Sequence, residues 1–317
     1  ESMHIIDEIY DFGATYLGLS GGEPLLREDL PEIIGYAKNV GLNVSLITNG
    51  YYVDGKIFDN LVRHDVRVSL SVDGTEEIND AIRGKGAYEK AVSAMEKTSE
   101  AGLLDCLVAT LANVDASRNN VTSEDMEHVI QLAEKYGARW VVIHGFIPFN
   151  RTKEHLAKSP SPQQYEKIWN QVYDLRLKYK GKPEVNVYCP FFVRIAKERG
   201  IPDVDNWFNN FFLGKCSIAG KYMSVIENGD VIPCSFNDHI RLGNVQDKPL
   251  KQIWDEHQTS EFTRKLSDRS NLKGKCGVCE YREICGGCRT RAEMYTGDIF
   301  ASDPACGYVP KLLRETN

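Results

Sequence analysis

No apolar run in the 317 residues reaches membrane-spanning length, and the first residues carry no signal-peptide pattern. Neither a membrane span nor export is therefore expected. A basic excess is missing too. Lys and Arg number 38 against 45 Asp and Glu, a formal charge of −7, whereas phosphate backbones need a clustered basic face. Nucleic acid is not expected as a partner. Nor do the cysteines make an even set: there are nine, and without a secretion signal an odd number suits reduced cytoplasmic thiols better than a disulfide framework. What remains is an ordinary soluble composition, 42% hydrophobic and 26% charged, in a chain long enough for two domains or for one large α/β domain with an appendage.

Short apolar runs alternate with helical spacing through the first half. The segment "MHIIDEIYDFG" has helical apolar spacing at Met3, Ile6, Ile9 and Tyr10. "TYLGLS" reads as a buried strand. The helix "DLPEIIGYAKNVG" follows, with Pro31 in its first turn and Gly41 past its end. Strands are expected at "NVSLITNG", "VRVSLSVDG", "LLDCLVATLAN" and "ARWVVIHGF", and helices at "DGKIFDNLVRH", "AYEKAVSAMEKTSEAG" and "EDMEHVIQLAEKYG", the last with Thr122 and Asp125 as an N-cap pair. That makes five strands in parallel βαβ units, with a sixth expected ahead of residue 1. An open doubly wound sheet and a full or partial (β/α) barrel both fit, and both gather chemistry at the carboxyl ends of the strands.

Those ends are polar or glycine-rich: "SGGEP", "TNG", "SVDG" and "HGF". In the first, Gly21 and Gly22 permit close backbone approach, and Pro24 restrains Glu23 to an extended conformation. A carboxylate fixed there is suited to a ligand ammonium; a solvated Glu capping the next helix is the competing reading, and the glycine pair alone does not separate them.

Residues 147–215 are less regular. "SPSPQQ" reads as a turn or linker, and "YEKIWNQVYDLRLKYK" as an amphipathic helix with Tyr165, Ile168, Trp169 and Val172 as core. "NWFNNFFLG" either lines a cavity or packs on the next domain. Cysteines then dominate. Cys216 and Cys234 flank "SVIENGDVIPC", a β-hairpin turning at Asn228-Gly229. Cys276, Cys279, Cys285 and Cys288 follow at x2, x5 and x2 spacing, with seventeen residues between Cys288 and Cys306. Zinc-ribbon knuckles stand about 15–20 residues apart, so five residues favour iron–sulfur ligation, in which the fourth cysteine of a close run binds a different cluster. Two sites then share seven thiols: Cys276, Cys279, Cys285 and Cys306 at one, Cys216, Cys234 and Cys288 at the other. The second is one ligand short; Cys189 is the nearest candidate, with a buried free thiol the alternative. Lys275, Arg282, Arg289 and Arg291 stand ready to offset the negative charge.

Together, "SGGEP" (20–24), "TNG" (48–50), "SVDG" (71–74), "RG" (83–84) and the seven-cysteine pattern resemble the radical S-adenosylmethionine (radical SAM) enzymes with a C-terminal SPASM domain. The resemblance implies a partial (β/α)6 TIM-like barrel over residues 1–150, linker and helices over 151–212, and an auxiliary-cluster domain over 213–317. It implies S-adenosylmethionine as cofactor, with Gly21, Gly22, Glu23 and Pro24 meeting its amino group. Ser71 would meet its ribose or carboxylate, Arg83 its carboxylate, Asp73 would join the same site, and Thr48 and Asn49 would lie nearer the substrate. It also implies two auxiliary 4Fe–4S clusters and a third on a CxxxCxxC loop. No CxxxCxxC occurs in these 317 residues; the family places it one helix before "GGEP", just upstream of residue 1.

The activity so implied is reductive cleavage of the cofactor to a 5′-deoxyadenosyl radical that abstracts hydrogen, fed by a low-potential flavodoxin- or ferredoxin-type donor in the cytoplasm. Cys285-x2-Cys288 and "CGGCRTRA" resemble members acting on heme-precursor side chains and in mycofactocin-type peptide maturation, so a ribosomal peptide and a tetrapyrrole both stay open as substrate. In sulfatase-maturing relatives an Asp follows the cysteine matching Cys234; Ser235 stands here instead. A cluster- or zinc-bearing scaffold or electron carrier without cofactor chemistry is the contrasting reading.

Overall fold

The computed structural model describes residues 2–113, 121–148, 159–181, 183–201, 216 and 218–315. Helix α1 (Ser2–Asp11) precedes strand β1 (Tyr16–Leu19), and strands then alternate with helices: α2 (Leu30–Asn39), β2 (Asn43–Thr48), α3 (Gly55–Arg63), β3 (Arg67–Ser71), α4 (Glu76–Arg83), α5 (Ala87–Glu100), β4 (Leu104–Leu111), α6 (Ser123–Tyr136), β5 (Trp140–Gly145), α7 (Pro162–Lys178), β6 (Glu184–Tyr188) and α8 (Phe192–Glu198). The six strands form one sheet in sequential order, with parallel pairing from β1 through β4. Helices joining parallel neighbours make this a partial α/β barrel, one of the two architectures the alternation leaves open and the one the resemblance implies.

The sequence fits these elements for local reasons. Leu46, Val68, Leu70 and Leu107 are completely buried, while the alternate positions of β2 and β3 are half-buried or exposed, as period-two strands with one packed face require. Thr122 closes a capping box with Asp125 at the start of α6, and Gly137 ends that helix at φ 74°. Tyr165, Ile168, Trp169 and Val172 are all core, as their spacing predicts.

Three elements differ from expectation. Strand β1 has no buried residue, and Tyr16 is 61% exposed; among the described residues it is an edge strand paired only with β2, so the buried reading of "TYLGLS" is corrected. Helix α4 intervenes between β3 and α5, and it ends at Arg83. The sixth strand is "EVNVY", from the segment that looked irregular, with Val185 and Val187 in the core. The aromatic stretch at 206–214 lies outside the described residues.

The chain divides into two compact units: Glu1–Thr110, Val121–Ile143 and Arg176–Asn186 form one, and Leu111–Asn120, His144–Leu175 and Val187–Asn317 the other. Within the second, β7 (Ser224–Val225), β8 (Asp230–Ile232) and β9 (Gly243–Asn244) make a small antiparallel sheet. Its first hairpin turns at Gly229 with φ 84°. Short helices follow at α9 (Leu250–Thr259), α10 (Glu261–Ser267), α11 (Gly274–Gly277), α12 (Arg289–Thr296) and α13 (Lys311–Arg314).

Candidate cofactor and cluster sites

In the first unit the loops after β1 and β2 are joined through one carboxylate. Pro24 opens a 3-10 turn, Pro24–Leu26, and Glu23 before it is extended at φ −139°, ψ 110°, the conformation a following proline favours. Glu23 Oε1 accepts from Leu25 N at 3.2 Å and from Thr48 Oγ1 at 2.7 Å, and Oε2 accepts from Asn49 N at 2.9 Å. Thr48 is buried and its Oγ1 also accepts from Gly50 N. Thus "SGGEP" and "TNG" form one hydrogen-bonded assembly, and Thr48 and Asn49 spend donors on holding Glu23. A carboxylate accepts about four hydrogen bonds; three are taken, which leaves room for one more donor. Gly21, at φ 143°, and Gly22 are exposed, with no atom within 4 Å of where a Cβ would stand on either.

A second assembly stands at the ends of β3 and β4. Asp73 is 2% exposed; its Oδ2 accepts from Arg83 Nε at 2.6 Å and its Oδ1 from Thr110 N at 2.8 Å. Asp73 N donates to Asn79 Oδ1, which fixes the loop. Both Asp73 oxygens are therefore engaged, and its geometry aims Arg83, whose side chain stays 28% exposed. Asp125 receives Thr75 N and Oγ1 and ties the same loop to α6. Ser71 ends β3, half-buried, and Thr48 on β2 pairs in register with Leu70 beside it. Among the described residues no hydrogen bond joins the Glu23 assembly to the Asp73–Arg83 assembly. The carboxylate of Glu23 follows β1, the hydroxyl of Ser71 ends β3, and the guanidinium of Arg83 stands at the end of α4; groups of these kinds pair with ammonium and carboxylate ions.

The second unit sorts its cysteines by their mutual electrostatics. Burial pushes the Cys306 thiol up to about 12 and the Cys234 thiol up to about 11, and holds Cys285 and Cys288 well above the ordinary range. Neighbouring sulfurs add to this. Cys306 and Cys276 raise Cys285, Cys276 raises Cys279 and Cys306, and Cys216 raises both Cys234 and Cys288. These influences run within the Cys276, Cys279, Cys285 and Cys306 set and within the Cys216, Cys234 and Cys288 set. Thiols whose ionisation is opposed by burial can still ligate metal, because bound metal displaces their protons. Among the described residues no three His, Cys, Asp or Glu side chains come close enough to grip a single ion.

Cys189 sits elsewhere. Burial pushes it up to about 12, and the charges that act on it most are those of Arg291, Asp303 and Cys306; Arg291 Nη2 points at its sulfur from 3.9 Å. Of the four expected cations, Arg289 reaches Cys276 Sγ at 3.8 Å and Lys275 the Cys306 carbonyl at 2.8 Å. Arg282 holds the Gly277 carbonyl and pairs with Glu283. Sequence reasoning missed Asp303. It pairs with Arg291 in full burial, and nothing in the local run "SDPAC" marks it.

Comparison with known proteins gives the family. Residues 1–133 match the family described as the radical SAM superfamily, and residues 216–289 match the SPASM iron–sulfur cluster-binding domain. The AdoMet-dependent heme synthase of Methanosarcina barkeri is 34% identical, over 98% of this chain and 87% of its own. The chain belongs to the radical SAM superfamily. It is accordingly an enzyme of the radical SAM/SPASM type, a family that uses S-adenosylmethionine with a 4Fe–4S cluster and binds auxiliary clusters in the SPASM domain. Mycofactocin maturase MftC of Mycobacterium ulcerans is 29% identical over 99% of this chain and 82% of its own. Streptococcus suis SuiB bound to S-adenosylmethionine shares the radical SAM fold with a TM-score of 0.71 at 15% identity, covering 96% of this chain and 69% of that one. No helix among the described residues is long and apolar enough to cross a membrane.

Proposed function

We propose that this radical SAM enzyme acts on the side chains of a heme-precursor tetrapyrrole, with S-adenosylmethionine held at the tips of β1 to β3. The observation that carries the cofactor site is the triple fixing of Glu23 by Leu25, Thr48 and Asn49 with one acceptor position left. Glu23 takes the ammonium of the methionine moiety, over the open backbone of Gly21 and Gly22. Asp73 orients Arg83 toward the carboxylate, and Ser71 offers its hydroxyl to the ribose or carboxylate. Bound cofactor and cluster supply the hard chemistry, reductive cleavage and hydrogen abstraction, while the protein orients the reactants and excludes water. Cys276, Cys279, Cys285 and Cys306 hold one auxiliary cluster, and Cys216, Cys234 and Cys288 hold the other.

The tetrapyrrole reading is supported by the 34% identity to a heme synthase across almost the whole chain. Peptide maturation is the second reading, favoured by the 29% identity to mycofactocin maturase over a similar span. A flavodoxin- or ferredoxin-type protein supplies the electron, in the cytoplasm. Anaerobic incubation of the full-length, cluster-loaded protein with reductant and S-adenosylmethionine separates the two. An iron tetrapyrrole with carboxylated side chains is expected to stimulate 5′-deoxyadenosine formation and to change mass. Stimulation by a peptide alone, with the tetrapyrrole inert, would overturn the assignment.

A further inference from the structure

The Arg291–Asp303 ion pair is the most deeply buried charge pair described, at 1% and 0% side-chain exposure. The contact is bidentate, Arg291 Nε and Nη2 each donating at 2.7 Å. Such a pair is costly to bury and adds little stability over an apolar replacement, so its surroundings matter. Asp303 Oδ2 also accepts from Cys288 N at 2.8 Å, and Arg291 N donates to Cys288 Sγ at 3.4 Å. On the other flank Asp303 N donates to Cys276 Sγ at 3.5 Å. Through their main-chain N–H groups the two residues thus reach a cysteine sulfur of each group, one assigned to each cluster, and the Asp303 carboxylate holds the Cys288 N–H. Arg291 Nη1 reaches the Phe146 carbonyl at 3.2 Å, and Nη2 faces Cys189.

Two glycines make room for it. A Cβ on Gly287 would stand 2.7 Å from Asp303 Cβ and 3.4 Å from Cys276 Sγ, and one on Gly145 would stand 3.2 Å from Arg291 Nη1. The chain is pared back on both sides of the pair.

We infer that Arg291 and Asp303 form a shared positioning element that sets the reduction potentials of both auxiliary clusters, with the carboxylate lowering and the guanidinium raising each. N–H donors and fixed charges near cluster sulfurs are the protein's means of tuning potential, and here one buried dipole addresses two sulfur sets at once. Cys189 is then a sulfur packed against the guanidinium. The inference rests on the two cluster sites and is independent of the substrate.

The test is a potentiometric titration of the full-length, cluster-loaded protein, each auxiliary cluster followed by its paramagnetic signal, with iron and sulfide measured alongside. Asp303→Asn should move both midpoints upward, Arg291→Gln should move both downward, and the Arg291→Gln/Asp303→Asn double variant should return both toward wild type. Arg194→Gln serves as a control. That buried arginine pairs with Glu166 and Glu198 and neighbours Cys279 and Cys306, so it should move only the first cluster. Cluster loss in the single variants that the double variant restores would also support the pair. The inference falls if only one cluster responds to the pair, if both single variants shift the same way, if neither shifts, or if the double variant also loses its clusters. A wild-type protein holding fewer than two auxiliary clusters overturns it outright, whereas clusters that tune as stated without cofactor cleavage would fault only the proposed function.

Discussion

A thiol counts as a ligand by the company its sulfur keeps. Cys288 caps α12, with its sulfur receiving Arg291 N, and it feels Cys216 through the interior. Cys189 lies as deep, but its partner is a guanidinium. Cys189→Ser is therefore expected to keep the iron and sulfide content of the wild type, and Cys288→Ser to lose one cluster's worth of both. Elemental analysis after anaerobic purification reads the difference; equal losses would make Cys189 a ligand. The iron–sulfur character of this region was legible because cysteine spacing is local and stereotyped. Asp303 was not, because an ion pair closed across twelve residues inside a loop-rich region leaves no periodicity to read.

At the scale of elements, α6 does more than pack. Asp125 is buried beneath its first turn, accepting from Thr122 N and Oγ1 with one oxygen and from Thr75 N and Oγ1 with the other. The cap and the loop that carries Asp73 are thereby one structure. Loss of the cap alone in Thr122→Ala is expected to cost about 1 kcal/mol. Asp125→Ala also strands two donors of Thr75 and should cost about 2–4 kcal/mol. Chemical denaturation midpoints check the ratio, and equal effects would show that the Thr75 bonds carry no weight. The capping box was visible in "TSED", since both partners sit within four residues. The central strands were visible as β-branched runs, and the hairpin as Asn228-Gly229. Strand β1 misled because apolar content reports what a strand is made of, not how many neighbours it has. Helix α4 and strand β6 escaped because each is short, eight and five residues, and stability at that length comes from tertiary packing.

Across the whole molecule two kinds of architecture do two kinds of work. The first unit is a sheet with helices, whose core of Val, Leu and Ile holds rigid strands and lets their tips carry polar groups. The second contains strands of two and three residues and helices as short as four, too little regular structure to fix seven thiols by itself. There the cysteines, the Arg291–Asp303 pair and buried Arg289, bonded to the carbonyls of Ile299 and Ala301, carry the order, and metal binding counts as folding free energy. The radical SAM resemblance was readable only from the combination, since "GGEP" alone is a glycine turn.

The central claim is that Glu23, pinned between the first two strand tips, binds the cofactor's ammonium. Equilibrium binding of S-adenosylmethionine to the full-length, cluster-loaded protein tests it most directly. Glu23→Gln removes the charge and keeps the shape, and the loss of one charged hydrogen bond, about 1.5–3 kcal/mol, corresponds to affinity weakened roughly 10- to 150-fold. Unchanged affinity, with clusters intact, would contradict the account.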